Sequence, residues 1–404
     1  MTLTGHPRAD GRKGIRNVAV VAYLVECAHH VAREITTEFR RWPDAHGGDG
    51  VHLIGFPGCY PNEYAQRMME ALCTHPNVGA VLLVSLGCES FDKSRLHRAV
   101  EASGRPVETV VIQGVGGTAR AIAAGCAFLE GELPGLAAAQ RVPMDVSELV
   151  VGTVCGGSDG TSGITGNPAA GLAFDRLVAE GAACIFEETG ELIGCEHVMA
   201  DRAATPELAD ELRGAVEKAA RYYATLGYGS FAAGNAEGGL STIEEKSLGA
   251  YAKSGASAIS GLLKPGDAPP RGGLYLLDVV PDGEVRWGFP NINDNAEIAE
   301  LMACGAHLTY FVTGRGSVVG SAISPVLKIC ANPETYARMQ DDMDVDAGRV
   351  LRGAPLAEVG DEIHAKTLAA AAGGRTRSEA LGHQEFILTY KTFEPLGPAC
   401  LPAA

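Results

Sequence analysis

Three cysteines in the first 90 residues each end a short apolar run, and their thiols could bind a metal. The runs NVAVVAYLVEC, VHLIGFPGC and AVLLVSLGC close at Cys27, Cys59 and Cys88. The carboxyl ends of parallel strands meet at one edge of an open α/β sheet, where ligands bind. Three strands could therefore bring the thiols together to hold iron, leaving one coordination position for a substrate. In the alternative interpretation each cysteine is a small buried apolar residue, a common role for a free thiol.

Two glycine-rich segments contain candidate ligands for an anionic substrate. CGGSDGTSGITGNP (155–168) follows a predicted strand and leads into a helix, and a helix N-terminus favours anions. The candidates there and nearby in GNAEGG are Ser158, Asp159, Thr161, Ser162 and Asn235. TGRGS (313–317) presents Arg315 between two glycines, and a guanidinium binds a carboxylate bidentately. The alternatives are an ordinary capped strand-to-helix turn and a solvated arginine.

Candidate acids and bases lie in three other segments. Glu188 and Glu191 follow the predicted strand AACIF, where carboxylates could ligate a hard metal or transfer protons. In the alternative interpretation these acidic residues lie in the first turn of a helix, where they stabilise the helix dipole. Lys246 could be a general base or a solvated lysine. Lys328 interrupts the apolar run SPVLKICAN, and a buried lysine needs a partner or a function.

Composition limits the class of protein. The chain has 404 residues, a formal net charge of −16 and eleven cysteines. The acidic balance argues against a nucleic-acid partner, because no basic stripe could neutralise phosphates. The N-terminal residues contain no apolar signal-peptide core, and no run of about 18 uncharged apolar residues could span a bilayer. We therefore expect a cytoplasmic chain with reduced thiols that acts on a small molecule and not at a membrane.

Apolar runs alternate with helical patterns along most of the chain, which predicts an α/β fold. We expect mainly parallel sheets with helices on both faces. The periodicity relaxes between Glu132 and Pro143, so we place a domain boundary there and predict domains at 1–142 and 143–404. A glycine-rich stretch, 227–239, is predicted to be a loop.

Six motifs taken together resemble one enzyme family. They are DGRKGIRN (10–17), HPNVGAVLLVSLGCE (75–89), CGGSDGTSGITGNP, GNAEGG with EEKSLG, TGRGS, and DDMDVDAG. In this order they resemble the altronate and galactarate dehydratases, a family that includes the large subunit of a sulfolactate sulfo-lyase. The resemblance runs from about residue 8 to about 390. It implies a smaller, dimerising N-terminal α/β domain and a larger Rossmann-like C-terminal domain.

The resemblance also implies an iron-dependent lyase that removes water from a sugar acid, or sulfite from sulfolactate. The iron is either mononuclear Fe²⁺ or an iron–sulfur cluster. Relatives carry an N-terminal β-clip domain that the motifs here do not include, so a separate small subunit could supply it. A homodimer or larger oligomer is expected.

The resemblance implies that Cys27, Cys59 and Cys88 hold the iron. Catalytic roles are implied for Glu188, Glu191, Lys246 and Lys328, with one of the lysines taking the proton, and substrate binding for Arg315 and the CGGSD loop. The sequence differs from the dehydratase pattern at two places, and both differences concern the identity of the substrate. Gly55 stands where the dehydratases have a histidine. The segment around Glu188 reads EETGE, where the dehydratases have a segment that ends in proline-glutamate.

Three alternatives to a dehydratase differ in what they require. A sulfo-lyase releases sulfite, and a non-catalytic subunit binds a sugar acid without turnover. A nicotinamide-dependent dehydrogenase would need G-x-G-x-x-G between a strand and a helix, with an acidic residue about 20 positions on. The sequence has no such fingerprint.

Overall fold

The computed structural model describes residues 3–226, 230–282 and 293–391. The strands are β1 (Leu3–Pro7), β2 (Lys13–Gly14), β3 (Val18–Tyr23), β4 (Val51–Gly55), β5 (Val78–Ser85), β6 (Val107–Val111), β7 (Val142–Met144), β8 (Val150–Cys155), β9 (Ala183–Phe186), β10 (Ile259–Leu263), β11 (Gly273–Leu277), β12 (Leu308–Thr313), β13 (Val326–Cys330) and β14 (Val345–Asp346).

The α-helices are α1 (Glu26–Glu38), α2 (Trp42–His46), α3 (Glu63–Cys73), α4 (Lys93–Ala102), α5 (Ile112–Val115), α6 (Thr118–Ala138), α7 (Gly166–Ala179), α8 (Glu196–Ala200), α9 (Pro206–Leu226), α10 (Ala233–Glu237), α11 (Ile243–Tyr251), α12 (Asp294–Ala303), α13 (Pro333–Met339), α14 (Leu356–Ala371) and α15 (Arg377–Leu381). Short 3₁₀ helices span Val146–Glu148, Thr189–Leu192, Ala252–Ser254 and Ala347–Arg352.

The first half of the chain forms a four-stranded parallel sheet in the order β4-β3-β5-β6. Its strands are apolar and its connections are helical, as parallel strands require. Helices α1 and α6 cover one face, and α3 and α4 cover the other. Because the chain leaves β3 first to one side and then to the other, β3 is the switch point where crevices open in such sheets.

The second half forms a seven-stranded parallel sheet in the order β10-β11-β9-β8-β12-β13-β14. Helices α7, α9 and α14 pack on one face, and α12 packs on the other. Its switch point lies at β8, between β9 and β12. Parallel sheets with helices on both faces confirm the predicted α/β fold.

The two large sheets share a hydrophobic core, in which α3 of the first packs against α12 of the second. A small antiparallel sheet, β2-β1-β7, lies beside them. The buried Arg16 ties the N-terminal half to α15: its Nε lies 2.6 Å from Glu379 Oε1 and its Nη2 lies 2.9 Å from Oε2. Such a bidentate pair fixes the orientation of both partners.

Helix α6 continues to Ala138 and includes Pro134, so it extends into the stretch from Glu132 to Pro143 where the periodicity relaxes. One local prediction was wrong. Part of the predicted glycine-rich loop is helix α10, while 227–229 lie outside the described residues. Within the described ranges, α6 is the single helix that by length and composition could cross a bilayer. Leu129, Leu133 and two small residues on α6 are buried against the four-stranded sheet.

Candidate functional site

The three cysteines singled out by the sequence are the exposed ones. Among the ten cysteines in the described residues, all free, Cys27, Cys59 and Cys88 are exposed and the other seven are buried or half-buried. They follow β3, β4 and β5, which are neighbours at the switch point of the four-stranded sheet. The interpretation as buried apolar residues is therefore wrong, and the three thiols lie at one carboxyl edge.

Backbone hydrogen bonds join the three cysteine loops to one another. The Ser90 amide donates to the Cys59 carbonyl at 2.9 Å, and the Glu26 amide donates to the Pro57 carbonyl at 3.1 Å. The Glu89 carboxylate accepts from the Gly87 amide at 2.8 Å and stiffens the loop before Ser90. Adjacent loops thus hold one another in place, which suits a preorganised ligand site.

A second cluster lies at the switch point of the seven-stranded sheet. Cys155 ends β8, Glu188 follows the neighbouring β9, and Lys253 belongs to the 3₁₀ turn after α11. Lys253 Nζ lies 2.8 Å from Cys155 Sγ and pairs with Glu188 Oε2, which also accepts from the Cys155 amide at 2.9 Å. All three side chains are buried. A buried charge persists only when paired, and this ion pair meets that need.

A second lysine–glutamate pair lies next to the first. Lys246 on α11 pairs with Glu191 and donates to the Ser230 carbonyl at 2.8 Å. Glu188 has φ +77°, a left-handed conformation that costs a non-glycine residue on the order of 1 kcal/mol or more. The turn it starts is closed by the Glu191 amide, which donates to the Glu188 carbonyl at 2.7 Å. This strained turn brings the carboxylates of Glu188 and Glu191 to the same carboxyl edge of the seven-stranded sheet.

The surroundings shift the pKa values of these neighbouring groups in different directions. Burial, with repulsion from Glu191, raises the pKa of Glu188 to about 8. Burial opposes ionisation of Glu191, but the ammonium groups of Lys246 and Lys253 outweigh it and lower the pKa of that carboxyl. Neighbouring groups likewise outweigh the effect of burial on both lysines, Glu191 at Lys246 and Cys155 with Glu188 at Lys253, so the pKa of each lysine lies above its ordinary value. Burial and Glu188 raise the pKa of Cys155, which is therefore a neutral thiol.

A cavity of about 270 Å³ opens beside the two pairs. Its polar lining consists of Glu188, Glu191, Lys246, Tyr223, Ser230, Asn293, Asp294 and Glu297. Burial raises the pKa of Asp294 to about 6 and that of Glu297 well above the ordinary carboxyl range. The volume lies near the lower end of the range for small-molecule sites, about 300 to 1,000 Å³. Carboxyl groups of different proton affinity next to ammonium groups are suited to acid–base chemistry on a small anion.

Helix α12 connects this cavity with the thiol edge. Asp294 and Glu297, in its first turn, line the cavity. One turn later, Glu300 accepts from the Tyr64 hydroxyl at 2.6 Å and pairs with Lys391 Nζ at 2.7 Å. Tyr64 lies on α3, five positions after Cys59. The same helix therefore contacts both groups of candidate residues.

Two sets of donor atoms in the described ranges lie within 4.8 Å of one another: Cys155 with Glu188 and Glu191, and Glu187 with Glu188 and Glu297. In the second set, Glu187 and Glu297 are buried. Neither carboxylate oxygen of Glu187 has a hydrogen-bond partner among the described residues. Such oxygens suit a hard cation. Both sets share Glu188, however, and its Oε2 already has the Lys253 ammonium beside it.

The predicted substrate ligands of the CGGSD loop are bonded within the protein. Asp159 Oδ1 accepts from the Thr161 amide at 2.9 Å and from the Thr161 hydroxyl at 2.6 Å, while Oδ2 accepts from Asn332 at 2.8 Å. The Ser162 hydroxyl accepts from the Asp159 amide at 3.1 Å. The carboxylate of Asp159 thus holds the loop against the strand end of β13.

Asn235 and Arg315 hold helix α10 over that loop. Asn235 donates to the Ser158 carbonyl at 3.3 Å and accepts from the amide that precedes α10. Arg315 Nη1 donates to the Gly234 carbonyl at 2.9 Å, and Nη2 lies 3.2 Å from Glu237. These predicted substrate ligands lie next to one another, and in this structure they contact other residues of the protein.

Lys328 lies apart from the cluster. It is aligned with Phe311 and Val154 across β13, β12 and β8, whereas Cys155 is aligned with the next residue of β12. Because successive side chains of a strand point to opposite faces, Lys328 and Cys155 lie on opposite faces of the sheet. The buried Lys328 Nζ lies 3.4 Å from His383 Nδ1 instead.

Comparison with known proteins gives the family. Residues 146–393 match the C-terminal domain of "D-galactarate/Altronate dehydratase", and residues 5–137 match the second domain of "D-galactarate dehydratase/Altronate hydrolase". The chain belongs to the galactarate/altronate dehydratase family. The resemblance seen in the motifs is thereby confirmed, and the protein is an enzyme of the lyase class.

Individual members of the family align over nearly the whole chain. The (2R)-sulfolactate sulfo-lyase subunit beta of Chromohalobacter salexigens is 33% identical, over 96% of this chain and 97% of its own. Altronate dehydratase of Escherichia coli is 30% identical over 94% and 76%, and galactarate dehydratase of the same organism is 32% identical over 92% and 73%. A solved carbon monoxide dehydrogenase from Thermococcus sp. AM4 has a TM-score of only 0.22 at 9% identity, too low to bear on fold or function.

In this family member the sequence argument missed Lys253, and it did not assign roles to Cys155, Glu187 and Glu297. Lys253 is surrounded in sequence by small and apolar residues, AYAKSGASA. Lys328 stands out because it interrupts an apolar run, whereas Lys253 is followed by Ser254 and Gly255 and lies in no such run, so the sequence gives it only a weak signal. Glu297 has no such signal, because its burial depends on how α12 packs.

Proposed function

We propose that this enzyme eliminates water from a 2,3-dihydroxy acid to give a 2-keto-3-deoxy acid. The observation that carries the proposal is Glu188, a buried carboxylate that lines the cavity and whose pKa is raised to about 8. The hydrogen on C2 of such an acid is very weakly acidic. Its removal needs a base with a higher proton affinity than an ordinary carboxylate, and stabilisation of the charge that develops on the substrate carboxylate.

The residues divide these tasks. Glu188 takes the C2 proton as the C2–C3 double bond forms. Glu297, which lines the cavity and whose raised pKa keeps it protonated, gives its proton to the C3 hydroxyl, which leaves as water. The resulting enol becomes the 2-keto acid. Lys246, which lines the cavity and whose pKa lies above its ordinary value, keeps its proton and stabilises the negative charge. Lys253, behind Glu188, holds that carboxylate in place.

This assignment differs from the expectation that Lys246 or Lys328 takes the proton. A lysine whose pKa is raised is a poor proton acceptor at neutral pH. Lys328 lies on the other face of the sheet. Asp159, Thr161, Ser162, Asn235 and Arg315 are proposed to shape the substrate loop.

We further propose that Cys27, Cys59 and Cys88 hold iron. Exposed thiols on three adjacent loops are soft donors, which suit iron–sulfur chemistry. Thiolate ligands suit both an iron–sulfur cluster and a single Fe²⁺ ion. Iron with an open position supplies Lewis-acid polarisation of an oxygen.

A sulfo-lyase that expels sulfite is the second candidate. The chain aligns with 97% of the length of the sulfo-lyase subunit beta, but with only 70 to 76% of the length of the dehydratases. This difference in coverage favours the second candidate. Gly55 also differs from the dehydratase pattern, and a Cβ there would lie 2.3 Å from the Tyr23 ring. By analogy with that relative's name, we propose a separate small subunit, within a cytoplasmic oligomer.

An assay on anaerobically purified protein decides between these functions. Altronate, galactarate and sulfolactate are supplied in turn, with and without a co-expressed small subunit, while 2-keto acid and sulfite are measured. Keto acid without sulfite, lost in Glu188→Gln, supports the dehydratase, and pyruvate with sulfite supports the sulfo-lyase. Binding of an acid without turnover in every combination, after iron reconstitution, would indicate a non-catalytic subunit.

A further inference from the structure

A second and larger cavity, of about 620 Å³, lies between the two halves of the molecule. One wall is formed by the end of α1 and by the edge strand β4, and the other by 321–324 and 375–384. None of its lining residues lines the Glu188 cavity. A ligand bound here would therefore leave the proposed reaction site free.

The cavity concentrates positive charge on a chain whose net charge is −16. Its lining includes the arginines Arg16, Arg33, Arg40 and Arg375 and the acids Asp44, Asp49 and Glu379. Glu379 is paired with Arg16, and Asp49 accepts from the Asn17 amide at 2.6 Å. The four arginines outnumber the three acids of the lining, and two of those acids, Glu379 and Asp49, lie next to Arg16.

Two of these arginines have their donors free. Arg40 and Arg375 are exposed, and across the described ranges their guanidinium groups form no hydrogen bond or ion pair, while Arg33 pairs with Glu34. A guanidinium offers five N–H donors in a planar fork that matches carboxylates and phosphates. Free guanidinium groups at the mouth of a deep cavity are suited to an anion.

The inner wall includes a buried lysine. His383 lines the cavity, and its Nδ1 lies 3.4 Å from Nζ of the fully buried Lys328. Burial lowers the pKa of Lys328, although Asp342, Asp344 and Glu385 oppose this from farther away. The arginines therefore supply the positive charge of the cavity, and His383 offers a ring nitrogen at its wall.

One lining segment has a strained backbone. Ile323 has φ +70°, a true outlier for a β-branched residue. Its amide donates to His52 Nδ1 at 2.9 Å, and the half-buried imidazole of His52 lies on the opposite wall of the cavity. Strain of this kind persists where surrounding structure enforces it, often at ligand clamps. The two walls are thus held together next to the free arginines.

We propose that this cavity binds a small organic anion with two or more carboxylate or phosphate groups, with Arg40 and Arg375 as its principal ligands. The size of the cavity favours an anion charged at both ends over a single inorganic ion. Because its walls belong to both halves of the chain, the bound anion contacts both.

Isothermal titration of the full chain with glutarate and with fructose 1,6-bisphosphate, at constant ionic strength, tests the proposal. Arg40→Gln/Arg375→Gln is compared with Arg98→Gln/Arg213→Gln, which removes the same charge from exposed sites outside the cavity. Loss of charge-assisted hydrogen bonds should weaken binding by about tenfold or more in the first variant. The control should stay within about twofold.

Binding of one probe alone identifies its class of anion, and binding of both supports the shared chemistry. Glu188→Gln should bind either probe as the wild type does, which separates this site from the proposed reaction. The proposal is overturned if neither probe binds, if both double variants bind equally, or if Glu188→Gln abolishes binding. Thermal unfolding of each variant shows that its fold is retained.

Discussion

Lys253 and Cys155 are 98 positions apart in sequence, yet Lys253 Nζ lies 2.8 Å from Cys155 Sγ. Helix α7 produces this contact, because it follows β8 and packs against the turn that contains Lys253. A Cβ on Gly171 would lie 2.3 Å from the carbonyl oxygen of Ala252, so only glycine allows this approach. Asp175, one turn further along α7, accepts from the amides of Ala256 and Ser257 at 2.9 and 2.8 Å. The position of the buried ammonium is therefore set by α7.

Replacing Lys253 by methionine should destabilise the protein strongly. Above about pH 8, where Glu188 is ionised, the change leaves this carboxylate buried without its cation, and breaking a buried pair from one side costs about 3–5 kcal/mol. Lys366→Met is the control, because its ammonium lies 3.9 Å from Glu362 on the surface; it should cost less than about 1 kcal/mol. Chemical denaturation measures both. Equal stability of the two variants would show that the Lys253–Glu188 pair does not form.

Serine at Cys27, Cys59 or Cys88 should remove iron and activity without unfolding the protein. Each thiol is exposed, so its loss leaves no cavity, whereas a hydroxyl is a weak ligand for iron. Iron content, the visible absorption spectrum and the melting temperature are measured after anaerobic purification. Cys126→Ser, at a half-buried cysteine of α6, is the control and should keep its iron. Full iron in all three variants would place the metal elsewhere.

The stability of the protein should fall as the pH rises from about 4.5 to 8. Folding raises the pKa of Glu188 from 4.5 to about 8, so the folded state binds this proton more tightly than the unfolded chain does. Its stabilising effect is complete below the lower value and is lost as the pH passes the higher one. Asp294, whose pKa is raised to about 6, acts in the same direction.

Melting temperature against pH, compared between the wild type and Glu188→Gln, isolates the Glu188 contribution. The slope should be shallower in the variant, because glutamine does not titrate. In the wild type kcat/KM should rise with pH towards about 8, as the base becomes ionised. Identical slopes in the two proteins would assign the pH dependence to other groups.

Gly55→Ala should destabilise the protein by about 1–3 kcal/mol, because the added methyl overpacks the Tyr23 ring. Gly131→Ala is the matched control: nothing lies within 4 Å of its Cβ position in α6, so helix propensity should make the change neutral or stabilising. Tyr23→Ala should relieve the cost of Gly55→Ala. A Gly55→Ala variant as stable as Gly131→Ala would mean that the ring moves freely.

Apolar periodicity predicted much of the fold and the edge at which the thiols lie. Val18–Tyr23, Val51–Gly55 and Val78–Ser85 are strands, as the pattern indicates, and parallel strands place their succeeding loops at one edge of the sheet. The prediction that Glu188 and Glu191 follow a strand holds for the same local reason. These features depend on residues close together in sequence.

The tertiary structure decided which of these residues meet and in what environment. The order of β4, β3 and β5 puts the cysteine loops side by side, and their exposure depends on the elements that pack above that edge. Lys253 reaches Cys155 only because two distant elements touch at glycines, and Lys328 is separated from it by one position of strand register. Burial then sets the proton affinity of Glu188, because desolvation depends on all the neighbours that a folded chain brings together.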